Sequence, residues 1–159
     1  MSRCTSITPI ARPLLLAVFV LLAGNGNGYA QVSDIKAAVE AYHAALGTLD
    51  ISNMEPLWAH DANVILINPA DKSISVGWDA VKKKWESTFS GDSELKVTQA
   101  DGPYIQVKDD VAWSTGIANA AIKLKTGNAL TALTYEMDVF EKRGGRWLLV
   151  SHTALRVPQ

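Results

Sequence analysis

The groups best suited to acid–base chemistry lie near the C-terminus of this chain, in the stretch YEMDVFEKRGGRWLLVSH from Tyr135 to His152. An imidazole has an ordinary pKa of about 6.5, so His152 could accept and donate a proton at neutral pH. Tyr135 adds a hydroxyl that could stabilise a developing oxyanion. These groups can form one site only if the sheet that positions them presents them on the same face.

The strand that carries Tyr135, predicted over residues 129–142, alternates between an apolar and a polar face. Successive side chains of a strand point to opposite sides. The apolar face, predicted to line a pocket, consists of Leu133, Tyr135, Met137 and Val139. The polar face, with Glu136 and Asp138, is predicted to be exposed or to take part in a dimer interface.

The last predicted strand, over residues 146–157, is apolar on both faces, so its own pattern does not orient His152. Regular alternation would place Trp147 and Leu149 on one face and Val150 and His152 on the other. Two interpretations of His152 therefore stay open. It is either a polar group of a pocket or a packed or interfacial histidine.

Three helices are predicted ahead of the long strands. Apolar residues at three- and four-residue spacing predict the first helix over residues 33–46, with Ser33 as its N-cap. Capping-box spacing from Ser52 to Glu55 predicts a second, short helix. The third helix is predicted from its apolar residues Trp78, Val81, Trp85 and Phe89.

The remaining apolar segments predict strands. A short strand over residues 63–68, with a hairpin partner at 74–76, lies between the second and third helices. Four long strands follow, at residues 95–107, 111–125, 129–142 and 146–157. Such a meander has one face to bury, and the helices that precede it should cover that face. The sequence therefore predicts an α+β domain.

The composition argues against several classes of function. The chain has one cysteine, Cys4, and a formal net charge of −1. These values indicate no disulfide pair, no zinc–thiolate site and no basic face for nucleic acid. The three histidines, His43, His60 and His152, are scattered along the sequence, which predicts no metal site. We expect neither a metal ion nor another cofactor.

The first thirty residues are predicted to be a signal peptide. A weakly basic start precedes an apolar run from Leu14 to Ala23, and small residues flank Tyr29 as signal peptidase requires. The run of about ten apolar residues is too short for a membrane-spanning helix. We therefore predict cleavage after Ala30, a single mature domain over 31–159, and a periplasmic or secreted location without membrane attachment.

Four segments, taken in order, resemble the NTF2-like superfamily, in particular its SnoaL-like and ketosteroid-isomerase-like branch. They are AYHAALGTLD, LWAHDANVILINP, GWDAVKKKW and VFEKRGGRWLLVSH. The resemblance covers essentially all of residues 31–159. It implies an NTF2-like cone, in which a strongly curved antiparallel sheet wraps around three N-terminal helices and encloses an apolar pocket. It also implies a homodimer formed through the outer face of the sheet.

The resemblance also implies what individual residues would do. Tyr42 matches the oxyanion-hole tyrosine of ketosteroid isomerases, but Leu66 stands where their carboxylate base would be. Met137 stands where their protonated aspartate would be, and Asp138 is one residue away. A leucine cannot transfer a proton, so ketosteroid isomerisation by that mechanism is not expected. An overlay on the isomerase pocket places His152 inward.

We expect a pocket with apolar walls and few polar groups, as is typical of small-molecule sites. Its predicted lining comprises Tyr42, Trp58, Leu66, Asn68, Leu133, Tyr135, Met137, Val150 and His152. The first interpretation is a protein that binds a small, largely apolar or amphipathic molecule. The second is an enzyme of isomerase, dehydratase or hydrolase type that uses His152 and a pocket tyrosine, Tyr42 or Tyr135. The third is a dimeric assembly module whose outer sheet face binds another protein.

Overall fold

The computed structural model describes residues 26–158, and the predicted α+β class is confirmed. The helices are α1 (Gly26–Thr48), α2 (Ile51–Met54) and α3 (Trp78–Gly91), with a 3₁₀ turn at Glu55–Leu57. The strands are β1 (Ile65–Ile67), β2 (Ser75–Val76), β3 (Asp92–Lys108), β4 (Val111–Leu124), β5 (Ala129–Arg143) and β6 (Arg146–Arg156). All three predicted helices and all six predicted strands are therefore present.

Most of the predicted signal peptide lies outside the described residues. Helix α1 begins at Gly26, ahead of the predicted cleavage point after Ala30. The Ser33 hydroxyl donates to the carbonyl oxygen of Ala30 from within this helix. The prediction that Ser33 caps α1 is therefore wrong, because its side chain bonds back to the preceding turn. Among residues 26–158, no helix is both long enough and apolar enough to cross a membrane.

Helix α2 is capped by Asp50 rather than by Ser52. One carboxylate oxygen of Asp50 accepts hydrogen bonds from the amide and the hydroxyl of Ser52, at 2.9 and 2.8 Å. The capping-box prediction is wrong because the aspartate supplies the side-chain acceptor two residues earlier. Pro56 lies at the start of the following 3₁₀ turn, where its missing N–H leaves no helical hydrogen bond unmade.

The sheet is mixed, with the strand order β2-β1-β6-β5-β4-β3. Strands β3 to β6 form the predicted antiparallel meander, and β2 pairs with β1 as the predicted hairpin partner. Strand β1, however, runs parallel to β6, with Leu66 opposite His152. Since Asp138 of β5 is also opposite His152, the histidine has a neighbour on each side of its strand.

The helices bury one face of this sheet, here called the inner face. The core that they form with it includes Ile35, Val39, Tyr42, Val81, Trp85 and Phe89 from α1 and α3. Trp58, just after the 3₁₀ turn, and Leu66 of β1 are buried in the same core. The opposite side of the meander is the outer face.

Strand β5 presents the opposite face to the helices from the one predicted. Leu133, Tyr135 and Met137 are 49%, 50% and 45% exposed, on the outer face. Glu136 and Asp138 point inward and are buried. The prediction is wrong because it treated the carboxylates as unpaired charges. Each of them contacts a histidine of another element, and a paired carboxylate can be buried.

A β-bulge at Val150 sets the facing of β6. Val139 pairs with Ser151 and Phe140 pairs with Leu149, so Val150 is the extra residue between them. The bulge lets Leu149 and His152 both point inward although they are three positions apart. His152 therefore points inward, as the overlay on the isomerase pocket implies. Val150 itself packs against the edge of the core.

Candidate functional site

A cavity of about 290 Å³ lies between the inner face of the sheet and the helices. Most of its wall is apolar and includes Leu46, Trp85, Val97, Ile122, Leu130 and Ala132. Two of its buried polar residues, Glu136 and His152, are here called the floor. The polar residues at the other end, here called the mouth, are Asn68, Asp71, Lys84, Asp92 and Arg156.

His152 and Asp138 form a buried pair at the floor. Nδ1 of His152 lies 2.7 Å from Oδ1 of Asp138, and both residues are almost completely buried. Oδ2 of Asp138 accepts a hydrogen bond from the Ser114 hydroxyl at 3.3 Å. Asp138 thus orients the imidazole and occupies Nδ1, which leaves Nε2 as the nitrogen for another partner.

The surroundings of His152 favour its protonated form. Burial lowers the pKa of the imidazole, but the hydrogen bond and charge of Asp138, with the charge of Glu136, outweigh burial. The pKa of His152 is therefore raised above its ordinary value. A raised pKa keeps the imidazole protonated up to a higher pH, so that it can act there as a proton donor.

Tyr42 of α1 lies against the imidazole of His152. The two ring centroids are 4.9 Å apart, with the ring planes tilted by 53°. Burial, followed by the charges of Asp138 and Glu136, raises the pKa of Tyr42 well above its ordinary value. The phenol therefore stays protonated. Its hydroxyl has no hydrogen-bond partner among residues 26–158, so it remains a donor beside the floor.

A second histidine–carboxylate pair lies beside the first. Glu136 precedes Asp138 by two positions on the inner face of β5, and its Oε2 lies 2.9 Å from Nε2 of His43 on α1. His43 lines a separate cleft of about 590 Å³ between α1 and β3. The pair therefore spans the wall between cavity and cleft. Within the described part of the chain, no three acidic, histidine or cysteine side chains are grouped to hold a metal ion.

Most charges at the mouth have a partner of opposite sign. The Lys84 ammonium lies 2.5 Å from the Asp71 carboxylate, which also accepts the backbone N–H of Asn68 at 3.0 Å. Burial raises the pKa of Asp92, and the charge of Lys125 opposes that rise. Arg156 has no carboxylate partner among the residues that the structure describes.

The structure brings only some of the predicted pocket residues together. Two of them, Asn68 and His152, line the cavity. Three lie in the core and outside the cavity lining: Tyr42, Trp58 and Leu66. Val150 is at the bulge, and the three residues on the outer face are Leu133, Tyr135 and Met137. The two catalytic candidates, His152 and Tyr42, are therefore adjacent, whereas Tyr135 lies on the other side of the sheet.

Sequence reasoning missed three of the groups near the floor: Glu136, Asp138 and His43. The two acids are separated by one residue in a strand, which marks a shared face but not its direction. His43 follows Tyr42 on α1, and consecutive helix positions do not face the same way. Only the packing of α1 against the inner face of the sheet brings its ring to Glu136. A buried carboxylate requires a partner, but the sequence does not say which histidine supplies it.

Comparison with known families agrees with this architecture. The SnoaL-like domain family matches residues 35–154, from α1 to the inner positions of β6. No curated protein sequence matches the chain. An NTF2-like superfamily protein of Salmonella enterica serovar Typhimurium has a TM-score of 0.76 and 15% identity, over 82% of this chain and 94% of that one.

Two further solved structures carry names that suggest chemistry. An NTF2-like family protein of Streptomyces avermitilis, provisionally named a dehydratase, has a TM-score of 0.74 and 19% identity, over 82% of this chain and 99% of that one. A ketosteroid isomerase-like protein of Erwinia carotovora has a TM-score of 0.69 and 20% identity, over 81% and 98%. At these identities the likeness establishes the fold alone. The family match shows that the chain belongs to the SnoaL-like domain family, and the solved structures show that it has the NTF2-like fold.

Proposed function

We propose that the cavity binds a small, largely apolar or amphipathic molecule and that His152 transfers a proton on that molecule. The observation that carries the proposal is the 2.7 Å contact between His152 Nδ1 and Asp138, with the same imidazole lining the cavity. A histidine oriented by a carboxylate is a common acid–base arrangement in enzymes. Apolar walls with a few placed polar groups are typical of small-molecule sites.

The residues around the imidazole have separate roles in this proposal. Asp138 fixes the orientation of His152 and stabilises its protonated form. Nε2 of His152 exchanges the proton with the bound molecule. Tyr42 supports the ring and offers a hydroxyl donor. The corresponding reactions are isomerisation and elimination of water, in which a proton leaves a carbon next to a carbonyl group.

Deuterium exchange tests this proposal without a known substrate. Cyclohexanone and 3-cyclohexenone would be incubated with the protein in D₂O, and exchange next to the carbonyl would be followed by NMR. We expect the wild-type protein to exceed His152→Gln by about a hundredfold. Leu133→Ala, on the outer face, is the matched control and should retain the wild-type rate.

The other outcomes of this experiment decide between the alternatives. Thermal stabilisation by a probe without exchange would leave a binding protein and remove the proton-transfer role. Exchange that survives His152→Gln would assign the chemistry to another group. A protein that neither binds nor exchanges any probe would overturn the proposal for the cavity.

We also propose that the protein is exported and forms a homodimer through its outer face. Support for the dimer comes from large apolar side chains exposed on that face, namely Tyr104, Trp113, Leu133, Tyr135, Met137 and Leu155. Light scattering of the mature chain should give twice the monomer mass, and Tyr135→Glu should give the monomer mass. A monomer in both cases would contradict the dimer. An N-terminus at Gln31 in the exported protein would support cleavage after Ala30.

A further inference from the structure

The floor of the cavity carries an excess of negative charge. Glu136 and Asp138 bring two carboxylates to adjacent inner positions of β5, and their partners are histidines rather than arginine or lysine. A histidine neutralises a carboxylate only when it is itself protonated. Even with one of the two histidines protonated, a net negative charge remains. An anionic group of a ligand would therefore be repelled from this end of the cavity.

At the mouth, in contrast, the side chain of Arg156 offers a positive charge. Lys84 is neutralised by Asp71, and Asp92 has the charge of Lys125 nearby. Arg156 lines the cavity without a carboxylate partner among residues 26–158. A guanidinium presents a planar set of donors that matches the two oxygens of a carboxylate.

The strand register fixes the distance between the two ends. Arg156 is opposite Thr134, and His152 is opposite Asp138, on the same pair of strands. The two positions are therefore four residues apart on β6, about 13 Å along the strand. The side chains of both line the cavity, so one small ligand can reach from mouth to floor.

We propose that the natural ligand is a largely apolar monocarboxylate, bound with its carboxylate at Arg156 and with its body, including the carbonyl group at which His152 acts, directed toward Glu136 and His152. The proposal rests on the cavity being a ligand site, as proposed above, and adds the chemical class and the direction of binding. The acidic floor excludes the reverse orientation, and the apolar wall accommodates the hydrocarbon part.

Octanoate and 1-octanol are matched probes for this inference, because they share a chain and differ in the charged end. Affinity for the mature chain would be measured by calorimetry at low and high salt. We expect octanoate to bind about tenfold more tightly than octanol, with the advantage shrinking at high salt. Arg156→Gln should remove that advantage and leave the affinity for octanol unchanged.

Lys108→Gln is the matched charge control, since Lys108 lies at the opposite end of β3 from the mouth and is exposed. It should preserve the preference for octanoate. Equal binding of the two probes, or an advantage that survives Arg156→Gln or disappears in Lys108→Gln, would overturn the assignment of Arg156 while leaving a cavity that binds apolar molecules. Binding of neither probe would instead overturn the ligand-binding proposal itself.

Discussion

His152 and Asp138 are cross-strand neighbours on β6 and β5, and their contacting atoms lie 2.7 Å apart inside the core. Removing one member of such a pair leaves the other as an uncompensated polar or charged group without contact to water. Replacing both members together removes the pair and its desolvation cost at the same time. The free energy of unfolding lost in the double variant should therefore differ from the sum of the losses in the two single variants.

A double-variant cycle should show strong coupling between these two residues. We expect His152→Ala to lower the free energy of unfolding by about 3 kcal/mol or more, because Asp138 stays buried without its partner. The double variant His152→Ala/Asp138→Ala should cost less than the sum of the single variants by at least about 1 kcal/mol. Urea denaturation at pH 7 measures all four proteins, and strictly additive costs would contradict a direct interaction.

The stability of the protein should depend on pH through His152. Its pKa is raised in the folded state, so the folded protein binds this proton more tightly than the unfolded chain does. The resulting stabilisation is complete below the unfolded pKa of about 6.5 and is lost as the pH rises through the folded pKa. Urea midpoints measured upward from pH 6 should fall accordingly. His152→Gln should flatten that decline, and an unchanged decline would assign it to another group.

The corrected facing of β5 predicts unequal effects for two leucines. Leu66 is fully buried, so Leu66→Ala should lower the free energy of unfolding by about 2–5 kcal/mol. Leu133 is half exposed on the outer face, so Leu133→Ala should cost less than about 1 kcal/mol in the monomer. Both are measured by urea denaturation at low protein concentration. Similarly large losses of unfolding free energy in the two variants would mean that Leu133 of β5 faces the core in solution.

His43 should stabilise the protein through Glu136. In His43→Ala the Glu136 carboxylate loses its 2.9 Å partner and remains in the cavity wall, at an expected cost of about 1–3 kcal/mol. Adding Glu136→Gln to this variant should recover part of the loss, because an amide carries no charge to leave unpaired. Glu40→Ala, an exposed position on the same helix, is the control and should be near neutral. If the double variant loses as much unfolding free energy as His43→Ala alone, His43 acts through packing alone.

The order of elements could be predicted from the sequence, because each depends on local patterns. The spacing of Val81, Trp85 and Phe89 identified α3. The turn residues between β3, β4, β5 and β6 predicted the ends of the four meander strands to within a few residues. The helix caps were less predictable, since Asp50 and Ser52 are both good capping residues and only the folded backbone selects one.

The site was less predictable because its facing depends on contacts between distant residues. Strand β5 has large apolar side chains on one face and carboxylates on the other, and hydropathy favours burying the first set. The structure buries the second set, because His43 and His152 come from two other elements to meet Glu136 and Asp138. Regular alternation along β6 would place Leu149 and His152 on opposite faces, whereas the bulge at Val150 turns both of them inward.

The parallel pairing of β1 with β6 has a consequence for the order of folding. The meander can assemble from strands that follow one another through short turns, whereas β1 must close a loop that contains α3 and four strands before it meets β6. We therefore expect the contact of Leu66 with His152 to form after the meander. Amide hydrogen exchange should then be faster in β1 than in the centre of β4 and β5. A chain halted before that last step would have its meander but would lack the part of the cavity wall that Asn68 and Asp71 supply.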